Sequence, residues 1–178
     1  MNQTMMKKIY YLVVVIALTF ASCKKDEGVI GNYGASYKAW TNFKSSVNNS
    51  YEYAVTSASW TGYGNETIIT VRNGKVVQRS FLAKTINGAT GAATIVNQWV
   101  EDSSKLNTHN EGAATLTMDD VYRKAKAEWL VSNKNTDTYF ENNNQGMLST
   151  AGYTEKGCMD DCFNGIKISF IRKITTVI

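Results

Sequence analysis

Residues 67–82, TIITVRNGKVVQRSFL, decide the fold. Residues 67–72 are rich in β-branched side chains and predict a strand, and residues 75–82 predict the strand that returns beside it. Asn73-Gly74 between them is the strongest short-range hairpin signal, because both central residues of a type I′ turn need a positive φ. The sequence therefore predicts an antiparallel hairpin with the rest of the domain built around it.

A helix and a further strand are predicted upstream of this hairpin. Tyr51, Tyr53 and Val55 alternate with smaller or polar residues, as in a strand with one buried face. An aromatic stripe with spacings of three and four predicts the helix, which is capped near Ser36 and ended by Asn49. The stripe consists of Tyr33, Tyr37, Trp40, Phe43 and Val47. Such a stripe indicates a buried face more often than a ligand platform.

The segment downstream, residues 85–115, is rich in Gly, Asn, Thr and Ser and predicts a long surface loop. Within it, residues 95–100 could form a short element. His109, the only histidine, lies in the polar stretch NTHNEG. A lone histidine in such a loop is more often solvated than a metal ligand, since metal sites need several converging ligands.

A second helix is predicted to begin at Thr117. The threonine hydroxyl is a suitable cap, and Asp119 and Asp120 suit the positive end of the helix dipole better than they suit a catalytic pair. Its predicted buried face consists of Met118, Val121, Tyr122, Ala125 and Trp129. The last third predicts strands at residues 138–140, 147–153 and 166–170, with a turn at 142–146 and a bulge at Gly152.

The first 22 residues carry the pattern of an export signal. Lys7 and Lys8 precede the apolar run IYYLVVVIAL, residues 9–18, and small residues lead to Cys23. The run is too short to span a membrane, which takes about 20 apolar residues. An ordinary signal peptide or an uncleaved anchor with an incidental cysteine is the alternative.

The tetrapeptide Phe20-Ala21-Ser22-Cys23 resembles the lipobox of bacterial lipoproteins, apart from Phe20, where leucine is usual. The resemblance implies that Cys23 is acylated, with palmitate-type chains, and becomes the new N-terminus after cleavage. The implied partner is a lipid bilayer, and the implied location is the cell envelope, with the protein anchored on the periplasmic or the surface leaflet of the outer membrane. Several acyl chains on one residue give stable anchoring.

Charge and composition limit the partners of the exported chain. The whole sequence carries a formal net charge of +4, and the export signal removes two lysines and no acidic residue. No cluster of basic residues remains that would indicate a nucleic-acid partner. Residues 23–34 predict a flexible tether, and residues 35–178 have the length of a single domain.

Cys158 and Cys162, in the sequence CMDDC, are the sharpest chemical signal of the mature chain. Two cysteines four positions apart in an exported protein predict a disulfide at a hairpin tip. A redox motif usually has two intervening residues, and this one has three. A metal site that combines the thiols with Asp160 or Asp161 is the alternative, although soft and hard ligands rarely share a site; no metal is predicted.

The inventory of catalytic motifs favours a binding protein over an enzyme. The chain has one histidine and neither G-x-S-x-G nor H-E-x-x-H nor a phosphate loop. No catalytic residue and no cofactor is predicted. A carboxylate pair for glycoside hydrolysis stays open, because its two acids need not be close in sequence.

The mature chain also resembles the exported family known as domain of unknown function 6174. The resemblance is carried by Trp40, by YEY at residues 51–53 and by the hairpin sequence ITVRNGKVV at 69–77. It continues with TMDDVY at 117–122 and Gly-Tyr at 152–153. It implies a small α+β fold on exported lipoproteins and no particular activity. The 85–115 segment and the cysteine pair depart from the family pattern.

Together these observations predict an α+β domain with a mostly antiparallel sheet of five or six strands and two helices packed on one face. The predicted function is a membrane-anchored, non-enzymatic binding or structural module whose partner is an envelope protein or a glycan. An envelope hydrolase that uses carboxylates is one alternative. Another is an inhibitor of a secreted or envelope protein, anchored through Trp60 and Tyr63 in the loop TSASWTGYGNE.

We predict that replacing Cys23 by Ala abolishes lipidation, because the Cys23 thiol is the acyl acceptor. Metabolic labelling with a palmitate analogue measures this, with Cys158→Ala as the matched control that leaves the lipobox intact. Equal labelling of the Cys23→Ala variant and the wild type would contradict the lipoprotein assignment.

Overall fold

The computed structural model describes residues 27–160 and 162–174. The predicted signal sequence, Cys23 and the first part of the predicted tether lie outside the described residues. The elements, in chain order, are α1 (Glu27–Ser46), β1 (Tyr51–Ala58), β2 (Tyr63–Arg72), β3 (Lys75–Ile86), β4 (Ala93–Asp102), α2 (Met118–Lys124), β5 (Thr136–Glu141), β6 (Thr150–Glu155) and β7 (Asn164–Lys173). Helix α2 continues into a π-helical turn, Ala125–Trp129. None of the helices in the described part of the chain has the length and hydrophobicity of a membrane-spanning segment.

The described strands form one sheet in the order β4-β3-β2-β1-β7-β6-β5. Every neighbouring pair is antiparallel. The α+β class is therefore confirmed, but the sheet has seven strands and not the five or six predicted. The additional strand is β4, which lies in the segment predicted as a loop.

The β2–β3 hairpin is confirmed. Arg72 lies opposite Lys75, and Asn73 and Gly74 have φ values of 50° and 77°, as a type I′ turn requires. The Gly74 amide also donates a 2.9 Å hydrogen bond to the carbonyl of Asn49, at the end of the α1–β1 turn. The hairpin turn is thus tied to the chain that leaves the first helix.

The prediction of a long loop at residues 85–115 is wrong for its first half. Strand β3 extends to Ile86, which lies opposite Ala93, and the pairing with β4 continues to Gln78 opposite Asp102. Most side chains of β4 are exposed, so the strand lacks the alternation of apolar and polar residues that predicts a half-buried strand. In this part of the chain, irregular structure occurs at the β3–β4 tip, residues 87–92, and between β4 and α2, residues 103–117.

Helix α1 begins earlier than the sequence predicts. Residues 27–34, which were predicted as part of a flexible tether, are helical. The Tyr33 hydroxyl donates a 2.9 Å hydrogen bond to the carbonyl of Tyr122, and its ring lies 5.9 Å from that of Phe140. These contacts attach the first half of α1 to α2 and β5.

The buried core joins both helices to the sheet. It contains Trp40, Tyr51, Tyr53, Ile69, Val71, Met118, Val121, Tyr122, Ala125, Met147, Leu148, Ala151, Ile166, Ile168 and Ile171. The predicted helix faces are confirmed for their central members, whereas Tyr37 is 41% exposed. The rings of Trp40 and Tyr51 meet edge to face at 4.8 Å, a favourable geometry for aromatic pairs.

Buried tyrosine hydroxyls connect the elements by hydrogen bonds. Tyr51 accepts one from the Met118 amide at 2.9 Å. Tyr122 accepts one from the Leu148 amide at 2.9 Å, and its hydroxyl lies 2.8 Å from that of Ser36. Burial raises the pKa of Tyr51 and Tyr122, so both stay protonated. Each hydroxyl satisfies a polar group that would otherwise be buried without a partner.

Helix α2 begins as predicted. The Thr117 hydroxyl accepts a hydrogen bond from the Asp120 amide, and the Asp120 carboxylate accepts one from the Thr117 amide, which completes a capping box. Asp119 has a second role that the sequence does not reveal. Its carboxylate accepts hydrogen bonds from Trp40 Nε1 at 2.9 Å and from Lys44 Nζ at 3.0 Å, and so links the two helices.

Residues 103–117 are held on the sheet by a buried ion pair between β3 and β4. Arg79 donates to both carboxylate oxygens of Glu101, at 2.8 and 2.9 Å. The same carboxylate accepts the amides of Asn107 and His109, at 2.9 and 2.7 Å. A buried charge needs this number of partners to offset its lost hydration.

His109 has more contacts than a solvated loop histidine. Its Nδ1 lies 3.0 Å from Glu101 Oε1, and its ring stacks on Trp99 with the centroids 4.3 Å apart. The sequence prediction of a merely solvated side chain is therefore incomplete. The described residues contain no group of three or more His, Cys, Asp and Glu side chains that could hold a metal ion.

We predict that Glu101→Gln destabilises the protein at neutral pH and weakens the acid dependence of its stability. The Arg79 guanidinium holds the pKa of Glu101 well below its usual range. The carboxylate therefore contributes stability above the unfolded-state pKa of about 4.3 and loses that contribution as the pH falls further. Melting temperatures at pH 7 and pH 3 test this. The exposed Glu155→Gln variant is the control, and equal behaviour of the two variants would contradict the prediction.

Candidate functional site

The two halves of the sheet diverge between β1 and β7. Pairing of these strands ends at Val55 opposite Ile168. Beyond that point, among residues 27–160 and 162–174, β1 pairs only with β2, and β7 pairs only with β6. We call the resulting cleft, between residues 55–59 and 163–167, the fork. It encloses a cavity of about 340 Å³, to which Tyr63 at the start of β2 also contributes.

Main-chain groups of both strands face the fork. The Ser59 amide bonds to the carbonyl of Tyr63 in β2, and main-chain groups alternate in direction along an antiparallel strand. The N–H and C=O groups of Thr56 and Ala58 therefore point away from β2 and toward the fork. The same alternation applies to β7, the strand on the other side of the fork.

On that second wall, the Ile168 amide bonds to the carbonyl of Ser149 at 2.7 Å. Alternation then directs the main-chain groups of Gly165 and Lys167 toward the fork. Both walls thus expose donors and acceptors that the sheet itself does not pair. Such groups need water or a ligand as their partner.

The side chains around the fork are aromatic, hydroxylic and cationic. Tyr63 and Phe163 supply the aromatic rings, and Lys167 supplies a positive charge with its Nζ 5.0 Å over the Phe163 ring. Hydroxyl groups come from Thr56 and Ser57 of β1 and from Ser59 of the β1–β2 turn. The arrangement suits a ligand that has apolar parts, hydrogen-bonding groups and negative charge.

Two facing glycines set the position of Phe163. Gly152 lies opposite Gly165 in the regular β6–β7 register, so the predicted bulge at Gly152 is wrong. A Cβ atom at Gly152 would lie 2.3 Å from the Phe163 ring, and one at Gly165 would lie 2.9 Å from it. The ring thus covers a pair of residues that have no side chains of their own, with the ring of Tyr139 6.4 Å away.

The disulfide predicted from the sequence lies in the loop that leads to Phe163. Cys158 and Cys162 are bonded, with their Cα atoms 6.2 Å apart. The bond constrains the chain immediately before the aromatic wall of the fork. Met159, inside the closed loop, is 94% exposed.

Of the two predicted partner-binding residues, Tyr63 is among those that line the fork and Trp60 is not. Tyr63 lines the cavity and is 36% exposed, and Trp60 lies in the adjacent turn with 82% of its surface exposed. The sequence did not reveal Phe163 or Lys167 as members of this site. Their positions depend on the register of β7 against β1, which no local pattern shows.

Comparison with protein-family models, with curated proteins and with solved structures finds no match to this chain. The resemblances to lipoproteins and to the domain of unknown function 6174 therefore stay predictions.

We predict opposite effects for alanine at two glycines. Gly152→Ala forces a methyl group into the Phe163 ring and the neighbouring carbonyl, and we expect a loss of about 1–3 kcal/mol in the free energy of unfolding. Gly34→Ala, in helix α1, has open space around the new methyl group, and we expect a gain of about 0.5–1 kcal/mol. Urea denaturation measures both. A neutral or stabilising Gly152→Ala would show that Phe163 does not cover the glycine pair.

Proposed function

We propose that this protein is a lipid-anchored lipoprotein of the cell envelope whose folded domain binds a partner protein at the fork. The main support is an open cavity between β1 and β7 that Ser59 and Tyr63 line, with the 82% exposed Trp60 in the short turn between these two residues. Exposed aromatic side chains beside a concave surface are typical anchors of protein interfaces. Acylation of Cys23 would hold this surface at the membrane.

The chemistry of the cavity fits binding better than hydrolysis. A hydrolase that acts through carboxylates needs two acids across its cleft, about 5–10 Å apart. The described side chains that line the fork include neither a carboxylate nor an imidazole. An inhibitor of an envelope enzyme would use the same rim and differs from a binding module only in the identity of its partner.

The packing of the helices keeps the fork accessible. We infer that both helices cover the same face of the sheet, as the contact of Trp40 with Tyr51 and the hydrogen bond from Met118 to Tyr51 indicate. The Tyr51 end of β1 lies at the opposite end of this strand from Thr56 and Ala58. The helical core therefore stabilises the sheet without filling the fork.

Photo-crosslinking in cells tests the proposal. A photoreactive residue at Thr61, next to Trp60, should capture a defined partner, whereas the same residue at the exposed Lys75, beside the β2–β3 turn at the other end of the sheet, should not. Trp60→Ala should reduce the Thr61 product at least about tenfold, the loss typical of an aromatic hot spot. Mass spectrometry identifies the product.

Ile95→Ala is the matched control for Trp60→Ala. Ile95 is also an exposed apolar side chain, 59% accessible, but it lies in the edge strand β4, three strands away from β1. Its replacement should leave the crosslink unchanged. Equal loss with both variants, or identical products from Thr61 and Lys75, would contradict a specific site at the fork.

A further inference from the structure

We propose that the fork takes an extended peptide segment of the partner, which adds as a strand along residues 56–58 of β1 and presents an acidic side chain to Lys167. This inference rests on the proposed function for the existence of a partner protein.

The unpaired main-chain groups of β1 favour the addition of a strand. Thr56 and Ala58 direct their N–H and C=O groups into the fork, while the main-chain groups of Ser57 and the amide of Ser59 pair with β2. An extended peptide supplies donors and acceptors with the same two-residue repeat. Addition of such a strand satisfies an open sheet edge without rearranging the sheet.

The side chains on the two faces of the sheet also favour a bound strand. Successive side chains of a bound strand point to opposite faces. On one face they meet Tyr63, which shares the face of the buried Thr67 in β2. On the other face they meet Phe163 and Lys167, since Lys167 alternates with the buried Ile166 in β7. A bound peptide therefore has an aromatic contact on either side.

The charge of the fork favours an acidic side chain on the bound segment. The described side chains that line the fork contain one cation, Lys167, and no anion. The contact of its ammonium group with the Phe163 ring places this charge at the wall of the cavity. A carboxylate on the peptide face that meets Phe163 would pair with the exposed Lys167. The site should therefore prefer acidic over basic segments.

The test uses the mature lipoprotein, purified from membranes in detergent and immobilised. Random heptapeptides displayed on phage are selected on it, and the retained sequences are synthesised for titration calorimetry. We expect extended, acidic sequences. Methylation of single peptide nitrogens should then weaken binding about tenfold for each lost hydrogen bond, at alternate positions only.

Two protein variants test the walls separately. Ala58→Pro removes an amide that faces the fork and leaves the amides of Ser57 and Ser59 available to β2, and it should weaken peptide binding about tenfold. Lys167→Gln should abolish the preference for acidic over neutral peptides. Ile95→Ala should change neither property. The methylation series on the wild-type protein keeps the test valid if Ala58→Pro does not fold.

Three results would overturn the proposal. The first is that no phage peptide is retained, and the second is that methylation weakens binding equally, or not at all, at every position of the peptide. The third is that only envelope glycan fragments displace the peptides. The last result would identify a carbohydrate site. If the Thr61 crosslink still depends on Trp60 while strand addition fails, the proposed function stands without this inference. If the crosslink also fails, both are wrong.

Discussion

Strand β7 is the constraint on which the rest of the structure depends, because it pairs with β1 along one half and with β6 along the other. Residues 168–173 join β1, and residues 164–167 join β6. A strand that changes partners in this way holds β5 and β6 to the main sheet and also separates from β1 over its first half. The same register thus produces both the continuous sheet and the open fork.

The core explains why the divergence is tolerated. Ile166, Ile168 and Ile171 of β7 are buried in one cluster with Trp40 and Tyr122 of the helices. Burial of such side chains contributes about 1.5–3 kcal/mol each, more than a few unpaired main-chain groups cost when they face solvent. The core therefore stabilises β7 in both halves, through Ile166 as well as through Ile168 and Ile171, and the Phe163 ring and the disulfide constrain the chain where β7 separates from β1.

Local patterns predicted the parts of this fold that depend on local chemistry. Asn73-Gly74 and the cap at Thr117 were predicted correctly, because turn and cap geometry follow from a few adjacent residues. Strand β4 was missed, since most of its side chains are exposed and the buried Glu101 is charged. The fork was missed because Val55 meets Ile168 through a register set by packing across the whole domain.

Amide hydrogen exchange by NMR tests the open fork most directly. We predict alternating protection: the Thr56, Ala58 and Lys167 amides exchange fast, whereas the Ser57 and Ile166 amides, which pair with β2 and β6, exchange slowly. The contrast should reach orders of magnitude within each strand. Uniform slow exchange over residues 55–58 and 165–168 would show that β1 and β7 pair along their full length, and the candidate site would not exist.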